Sequence, residues 1–287
     1  MASPQVRAFF DETTFTVSYL VWDPATRLGA IIDSVLDFDP KSGRTGTRSA
    51  QAILDAAHKE GVAVDYILET HAHADHLSAA PFLKTKTNAP VGIGEHIKTV
   101  QGVFKKVFNI DDVSGNGGEF DLLLKDGERL ALGDLAIEVM HTPGHTPACV
   151  SYRIEDAVFV GDTMFMPDYG TARADFPGGD ARALYRSIRK ILALPQGTRV
   201  FLCHDYKAPG REVFAWETTI ANERAHNVHI HEGVTEDAFV AMRESRDKTL
   251  EMPVLILPSI QVNIRAGELP PPEDNGVRYL KLPLNAI

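Results

Sequence analysis

Thr70-His71-Ala72-His73-Ala74-Asp75-His76 sets three histidines and one aspartate within a few residues of one another. The run just before it, Val64-Asp65-Tyr66-Ile67-Leu68-Glu69, reads as a strand buried in a sheet. A loop at the carboxyl end of a strand is a good place to hold an ion. Imidazoles supply neutral nitrogen, the aspartate supplies anionic oxygen, and the sheet fixes the backbone that carries them. As plain surface polarity the pattern is costly, because crowded imidazoles repel once protonated and burial makes that worse.

Outward from this stretch, strands and helices alternate. Phe15 to Trp22 alternates and is β-rich, Asp23-Pro24-Ala25-Thr26 signals a turn, and Arg27 to Val35 resumes an apolar run, which together predict an antiparallel hairpin. Asp37 to Gly43 reads as a loop. Ala50, Ile53, Leu54 and Ala57 fall at helical spacing, with Gly61 where a cap belongs. Ala79 to Thr87 reads as a short helix, Val91 to Gly94 as a strand, and His96 to Phe108 as a helix. Glycines at 115, 117 and 118 argue for a loop. Leu130 to Met140 supplies two strands around Gly133-Asp134. Val150 to Ile154 and Ala157 to Val160 form a hairpin, Ala181 to Leu194 a helix, and Val200 to Cys203 a buried strand. Trp216 to Val228 and Thr235 to Leu250 read as helical, with Thr235 as N-cap. Pro270-Pro271-Pro272 marks a tail along the surface.

No internal repeat or linker interrupts this order, so one α/β domain over residues 1–287 is expected, with its motifs in 64–206 and C-terminal helices and a tail in 212–287. The 287 residues, 44% hydrophobic and 24% charged, suit a globular enzyme. No apolar run approaches the roughly 20 residues of a membrane span. The first residues lack a basic region followed by an apolar core, which predicts a cytoplasmic protein without a signal peptide. A net charge of −10 argues against nucleic acid as partner. It also argues against a non-enzymatic, DNA-bound metal or persulfide sensor, for which no basic helix-turn-helix is visible. Cys149 and Cys203 lack paired-cysteine spacing, which disfavours a disulfide framework or a zinc-thiolate site. Both read as small buried hydrophobes.

Three further turns carry unusual residues, each after an expected strand. His145 lies in His141-Thr142-Pro143-Gly144-His145-Thr146, Asp162 in Gly161-Asp162-Thr163, and His204 in Cys203-His204-Asp205-Tyr206. In this order, the motifs resemble those of the metallo-β-lactamase superfamily. The resemblance implies a four-layer αβ/βα sandwich with a metal site at one edge between two sheets. Thr171-Ala172-Arg173-Ala174-Asp175-Phe176-Pro177-Gly178-Gly179, together with the C-terminal segments 251–263 and 283–285, narrows it. These resemble bacterial persulfide dioxygenases, the branch related to the human ethylmalonic-encephalopathy protein.

That resemblance implies one Fe(II) per chain held by His71, His145 and Asp162, two histidines and a carboxylate that leave positions open for substrate and O₂. It implies oxidation of glutathione persulfide with O₂ and water to glutathione and sulfite, and it suggests a homodimer. His73, Asp75, His76 and His204 then support the ligands through hydrogen bonds, or hold a second ion. Arg173 matches the branch's active-site arginine, with Asp175 to orient it. Tyr206, Lys207, Arg211 and Arg224 are further candidates to bind a dianionic tripeptide. His141 reads as structural, and His58, His96, His226, His229 and His231 as ordinary polar residues. The alternative reaction is that of a two-zinc hydrolase of glyoxalase II or lactonase type, for which every ligand is also present.

Overall fold

The computed structural model describes residues 3–285. Its first half opens with β1 (Gln5–Asp11), β2 (Thr16–Trp22) and β3 (Leu28–Ile32). A hairpin of β4 (Val35–Asp39) and β5 (Arg44–Gly46) follows, then α1 (Arg48–Glu60), β6 (Ala63–Leu68), β7 (Leu77–Ser78), α2 (Ala80–Thr87), β8 (Val91–Gly94), α3 (Ile97–Val107) and β9 (Leu122–Leu124). The second half runs β10 (Arg129–Leu132), β11 (Leu135–His141), β12 (Val150–Ile154), β13 (Ala157–Phe159), α4 (Ala181–Leu192), β14 (Arg199–Phe201), β15 (Glu217–Thr219), α5 (Ile220–His226), α6 (Glu236–Asp247) and α7 (Ile256–Asn263). One six-stranded sheet has the order β1-β2-β3-β6-β8-β9 and the other β10-β11-β12-β13-β14-β15, and β5, β4 and β7 form a small third sheet.

The sandwich follows from period-two patterning. In β2, Val17, Tyr19 and Val21 enter the core between the sheets, while Leu20 and Trp22 face the helical layer over the first sheet. In β13 and β14, Phe159 and Phe201 point inward and stack at 4.9 Å, while Val158 and Val200 pack with Leu184 and Ile188 of α4. Each sheet thus packs one face on the shared core and the other on a helical layer, giving helix, sheet, sheet and helix layers. No helix among the described residues is long and apolar enough to cross a membrane.

The helix expected around Ala50 to Ala57 is present as α1, and Gly61 closes it at φ +67°. Asp180 caps α4 by accepting from the Ala183 N–H at 2.8 Å, and Thr235 caps α6. Other expectations need correction. Residues 217–219 are a strand, not helix: Thr218 pairs with Val200 at the sheet's edge, and the helix starts only at Ile220, capped by Thr219. β-branched threonines fit a pleated edge better than a helix interior. Asp37–Asp39 belongs to β4, leaving only 40–43 as a turn. Strands β1 and β9 and helix α7 were not foreseen.

Glu223 on α5 is fully buried, accepts from Asn227 Nδ2 at 2.7 Å, and leaves its other oxygen unpaired. Burial pushes its carboxyl up to about 8, against 4.5 for an ordinary glutamate. Between these values the folded chain holds a proton that the unfolded chain has lost, so stability falls as pH rises through that window. Glu223→Gln removes the titration. It should melt close to wild type near pH 5 and several degrees higher near pH 8, where scanning calorimetry across pH would show the gap opening; a constant gap would rule out this origin.

Candidate metal centre

Parallel pairing brings the loaded turns together. β3, β6 and β8 run parallel, as do β13 and β14, so their carboxyl ends share one edge. Asp33 follows β3, the His71 loop follows β6, and Asp162 and His204 follow β13 and β14. His145 lies in the turn between β11 and β12. Two glycines let these turns approach closely. A Cβ on Gly144 (φ +139°) would lie 2.3 Å from the Leu184 backbone, and one on Gly161 (φ +51°) 2.5 Å from Thr70 Oγ1.

His71, His145 and Asp162 offer ligand atoms within 4.8 Å of one another. Asp162 Oδ2 lies 3.6 Å from His145 Nε2 and 4.0 Å from His71 Nε2. Its Oδ1 faces the other way, 3.3 Å from His204 Nε2. His204 Nε2 is also 3.5 Å from Asp75 Oδ2. His71 Nε2, His73 Nδ1, His76 Nε2, His204 Nε2 and Asp162 Oδ1 are all buried without a hydrogen-bond partner. Orphaned donors and acceptors are costly in a core, and here they converge. The nitrogen and oxygen set fits a borderline or hard cation such as Fe(II) or Zn(II), one ion on the Oδ2 side or two sharing Asp162. Burial, then His73 and His145, holds the pKa of His71 well below that of a free histidine, so it stays a neutral ligand.

Neighbouring side chains fix the rings. His73 Nε2 lies 3.0 Å from Asp33 and 3.1 Å from Glu69. Burial alone would strip the His73 proton, but these two carboxylates outweigh it and raise its pKa. The carboxylates thus hold a proton on Nε2, and an ion at Nδ1 would have to displace the second ring proton. Asp33 also accepts from Thr70 N and Oγ1, and Glu69 accepts from Ser78 Oγ. Asn263 of α7 donates to the carbonyls of His73 and His76, both at 2.8 Å, and accepts from Ser78 N. His145 Nδ1 lies 2.9 Å from the Arg173 carbonyl. Asp33, Glu69 and Asn263 were missed. Asp33 left one signal, an acid ending the apolar run Ala30-Ile31-Ile32.

A cleft of about 430 Å³ opens over Asp75, His145 and Asp162. Phe15, Phe165, Tyr169 and Tyr206 give it aromatic walls, and Arg173, Arg243 and Arg246 also line it. Of the expected substrate-binding residues, Arg173 and Tyr206 line this cleft. Asp175 grips Arg173 with two bonds of 2.6 and 2.7 Å. The structure does not bring the remaining three candidates to the cleft lining. Lys207 lies over the Phe214 ring, Arg211 pairs with Asp168 and Asp205, and Arg224 pairs with Glu232. Each cation is taken by a nearer partner. His141 stacks on His96, in keeping with a structural role. Cys149 and Cys203 are buried, as expected. His229 is no ordinary surface histidine, since its Nδ1 accepts from Thr171 N. Arg243 and Arg246 were missed because charges on an amphipathic helix read as solvated.

The family model described as metallo-beta-lactamase superfamily matches residues 13–204. A probable metallo-hydrolase of Burkholderia pseudomallei is 58% identical, over 98% of this chain and 99% of that protein. The human mitochondrial persulfide dioxygenase ETHE1 is 30% identical over 70% of this chain and 68% of its own. Among solved structures, ETHE1 from Myxococcus xanthus superposes with a TM-score of 0.73 at 29% identity, covering 92% of this chain and 100% of the other. With its four layers and its edge cluster of histidines and aspartates, the chain belongs to the metallo-β-lactamase superfamily.

Proposed function

We infer that this protein is a persulfide dioxygenase, oxidising glutathione persulfide with O₂ and water to glutathione and sulfite at a single Fe(II). One contrast carries the reading. Asp162 Oδ2, the oxygen that faces His71 and His145, accepts no hydrogen bond among the described residues, whereas Asp75 Oδ2 already accepts from Thr16 Oγ1 at 2.9 Å and lies 3.1 Å from His76 Nδ1. The carboxylate beside His71 and His145 is thus free for an ion, and the one beside His76 is engaged. Two histidines and one carboxylate are the ligands of non-haem iron oxygenases. The likeness to ETHE1 over 92% of the chain supports the same reading.

Fe(II) held by His71, His145 and Asp162 would supply the redox chemistry that lets O₂ react with sulfur. The protein's own part is to bind, orient and shield. The aromatic walls exclude water from the reacting sulfur. Arg173 is largely neutralised by Asp175, and Arg243 by Asp247. Arg246 has no carboxylate partner among the described residues and lines the same cleft, so it is the cation best placed to receive a glutathione carboxylate.

The unpaired Nε2 atoms of His76 and His204 favour a second reading, a two-zinc hydrolase, in which two ions would supply an activated water against a thioester or lactone carbonyl. The name of the Burkholderia relative agrees with it.

Metal analysis of anaerobically purified protein, paired with an oxygen electrode, separates the two. The dioxygenase predicts about one iron per chain, as a single three-ligand set allows, and oxygen uptake on adding glutathione persulfide; two zinc ions with thioester turnover and no oxygen uptake would sink it. His71→Ala should abolish iron binding, while His76→Ala should keep iron and part of the activity. Arg246→Ala should raise KM for glutathione persulfide about 10-fold while sparing kcat, the loss of one charged hydrogen bond.

A further inference from the structure

The ring of His145 is oriented from outside the two sheets. Its Nδ1 lies 2.9 Å from the Arg173 carbonyl, so a neutral ring carries its proton there and leaves Nε2 toward Asp162. The carbonyl serves only if residues 170–174 hold still, yet this segment has little regular structure, a single bridge joining Thr171 to Met164. Side chains from the C-terminal helices and the loop after α5 hold it instead. Asp247 Oδ2 accepts from Ala174 N at 2.9 Å. Arg243 Nη1 donates to the Thr171 carbonyl at 3.1 Å, and Asn227 Nδ2 to the Gly170 carbonyl at 3.0 Å. His229 Nδ1 accepts from Thr171 N at 3.0 Å.

Arg243 and Asp247 stand one turn apart on α6, joined at 2.7 and 2.9 Å, and both are buried. Stability alone is a poor reason for such a pair, since well-packed apolar residues often do as well or better. What apolar residues cannot do is donate to one peptide and accept from another on either side of Arg173. We propose that Arg243 and Asp247 are positioning residues. They fix the Arg173 carbonyl, and through it the tautomer and direction of His145, so that α6 sets the affinity of the metal centre. This rests on His145 being a metal ligand, which the proposed function shares, but not on which reaction the metal serves.

Three variants of the full chain test it: Asp247→Ala, Asp247→Asn, and Asp237→Ala as control. Asp237 is an exposed α6 residue that pairs with Arg182 on α4 and has no bond to residues 170–174. Two readouts are needed, both well below the melting temperature. One is the ¹⁵N signal of the His145 ring in metal-free protein, and the other is Co(II) affinity by competition with a chelator. Wild type and Asp237→Ala should share one His145 tautomer, protonated at Nδ1, and one affinity. Asp247→Ala should mix tautomers and bind Co(II) about 10–100-fold more weakly, the usual loss when a partner of a metal ligand is removed. Asp247→Asn keeps an acceptor for Ala174 N and the residue's shape, and should fall between; it carries the test if the alanine variant does not fold. An unmoved His145 signal and affinity in the Asp247 variants would overturn the proposal, as would equal weakening in Asp237→Ala, since α6 would then be a scaffold only. Absence of oxygen uptake alongside the expected affinities would count against the dioxygenase and leave this inference standing.

Discussion

A carboxylate buried between the two sheets anchors the whole centre. Asp33 accepts from the backbone and hydroxyl of Thr70 and from His73, and the Cys203 thiol lies 3.6 Å away. It therefore touches the ends of β3, β6 and β14, drawn from both halves of the fold. A bare charge there would be expensive. Burial pushes the Asp33 pKa up, but His73 and then the Thr70 donors pull it below the ordinary value. Removing one member of so enclosed a pair typically costs about 3–5 kcal/mol, because the other is left uncompensated. The rigidity of the His71 loop follows from that threat.

The loop is held again from the far end of the chain. Asn263 binds two of its carbonyls, and α7 carries Ile256, Ile260 and Ile264 into the core beside β7 and α2. On the opposite side, α6 and the loop after α5 grip the segment that carries Arg173. A superfamily match confined to residues 13–204 thus leaves out the elements that steady the ligands on both flanks. Ligand geometry within a fraction of an ångström needs such support, since rotamers on loops drift unless packed.

Features set by local rules were legible in the sequence. The alternation in β2, the helical spacing of Ala50, Ile53 and Ala57 with its glycine cap, and the four ligand-bearing turns all follow from short-range patterns. Features set by partners distant in the chain were not. Residues 217–219 are a strand only because β14 offers an edge. The run Ile256 to Asn263 is buried on nearly every side, its polar Ser259, Gln261 and Asn263 included, and so lacks the apolar–polar periodicity that marks a surface helix. The buried roles of Arg243 and Asp247 were hidden for a related reason. An i, i+4 arginine–aspartate pair reads as a solvated salt bridge, and only the packing of α6 over residues 170–174 turns it inward.

The ligand inventory of the superfamily is complete here, so the number of ions it holds depends on what else competes for the ligands. Thr16 is that competitor. Its hydroxyl donates to Asp75 Oδ2 at 2.9 Å and lies 3.4 Å from His76 Nδ1 and 3.5 Å from His204 Nδ1. One hydroxyl thus sits among three of the four residues of the second set, Asp75, His76 and His204, and Thr14 supplies a further hydrogen bond to it. No hydroxyl is bonded to Asp162 Oδ2, the oxygen on the side of His71 and His145, among the described residues. A second ion would have to outcompete a satisfied hydrogen-bonded carboxylate at Asp75, whereas an ion between His71, His145 and Asp162 displaces no protein donor from Oδ2 among the described residues. That asymmetry, more than the identity of the ligands, is the physical ground for the proposal of one metal with open coordination positions.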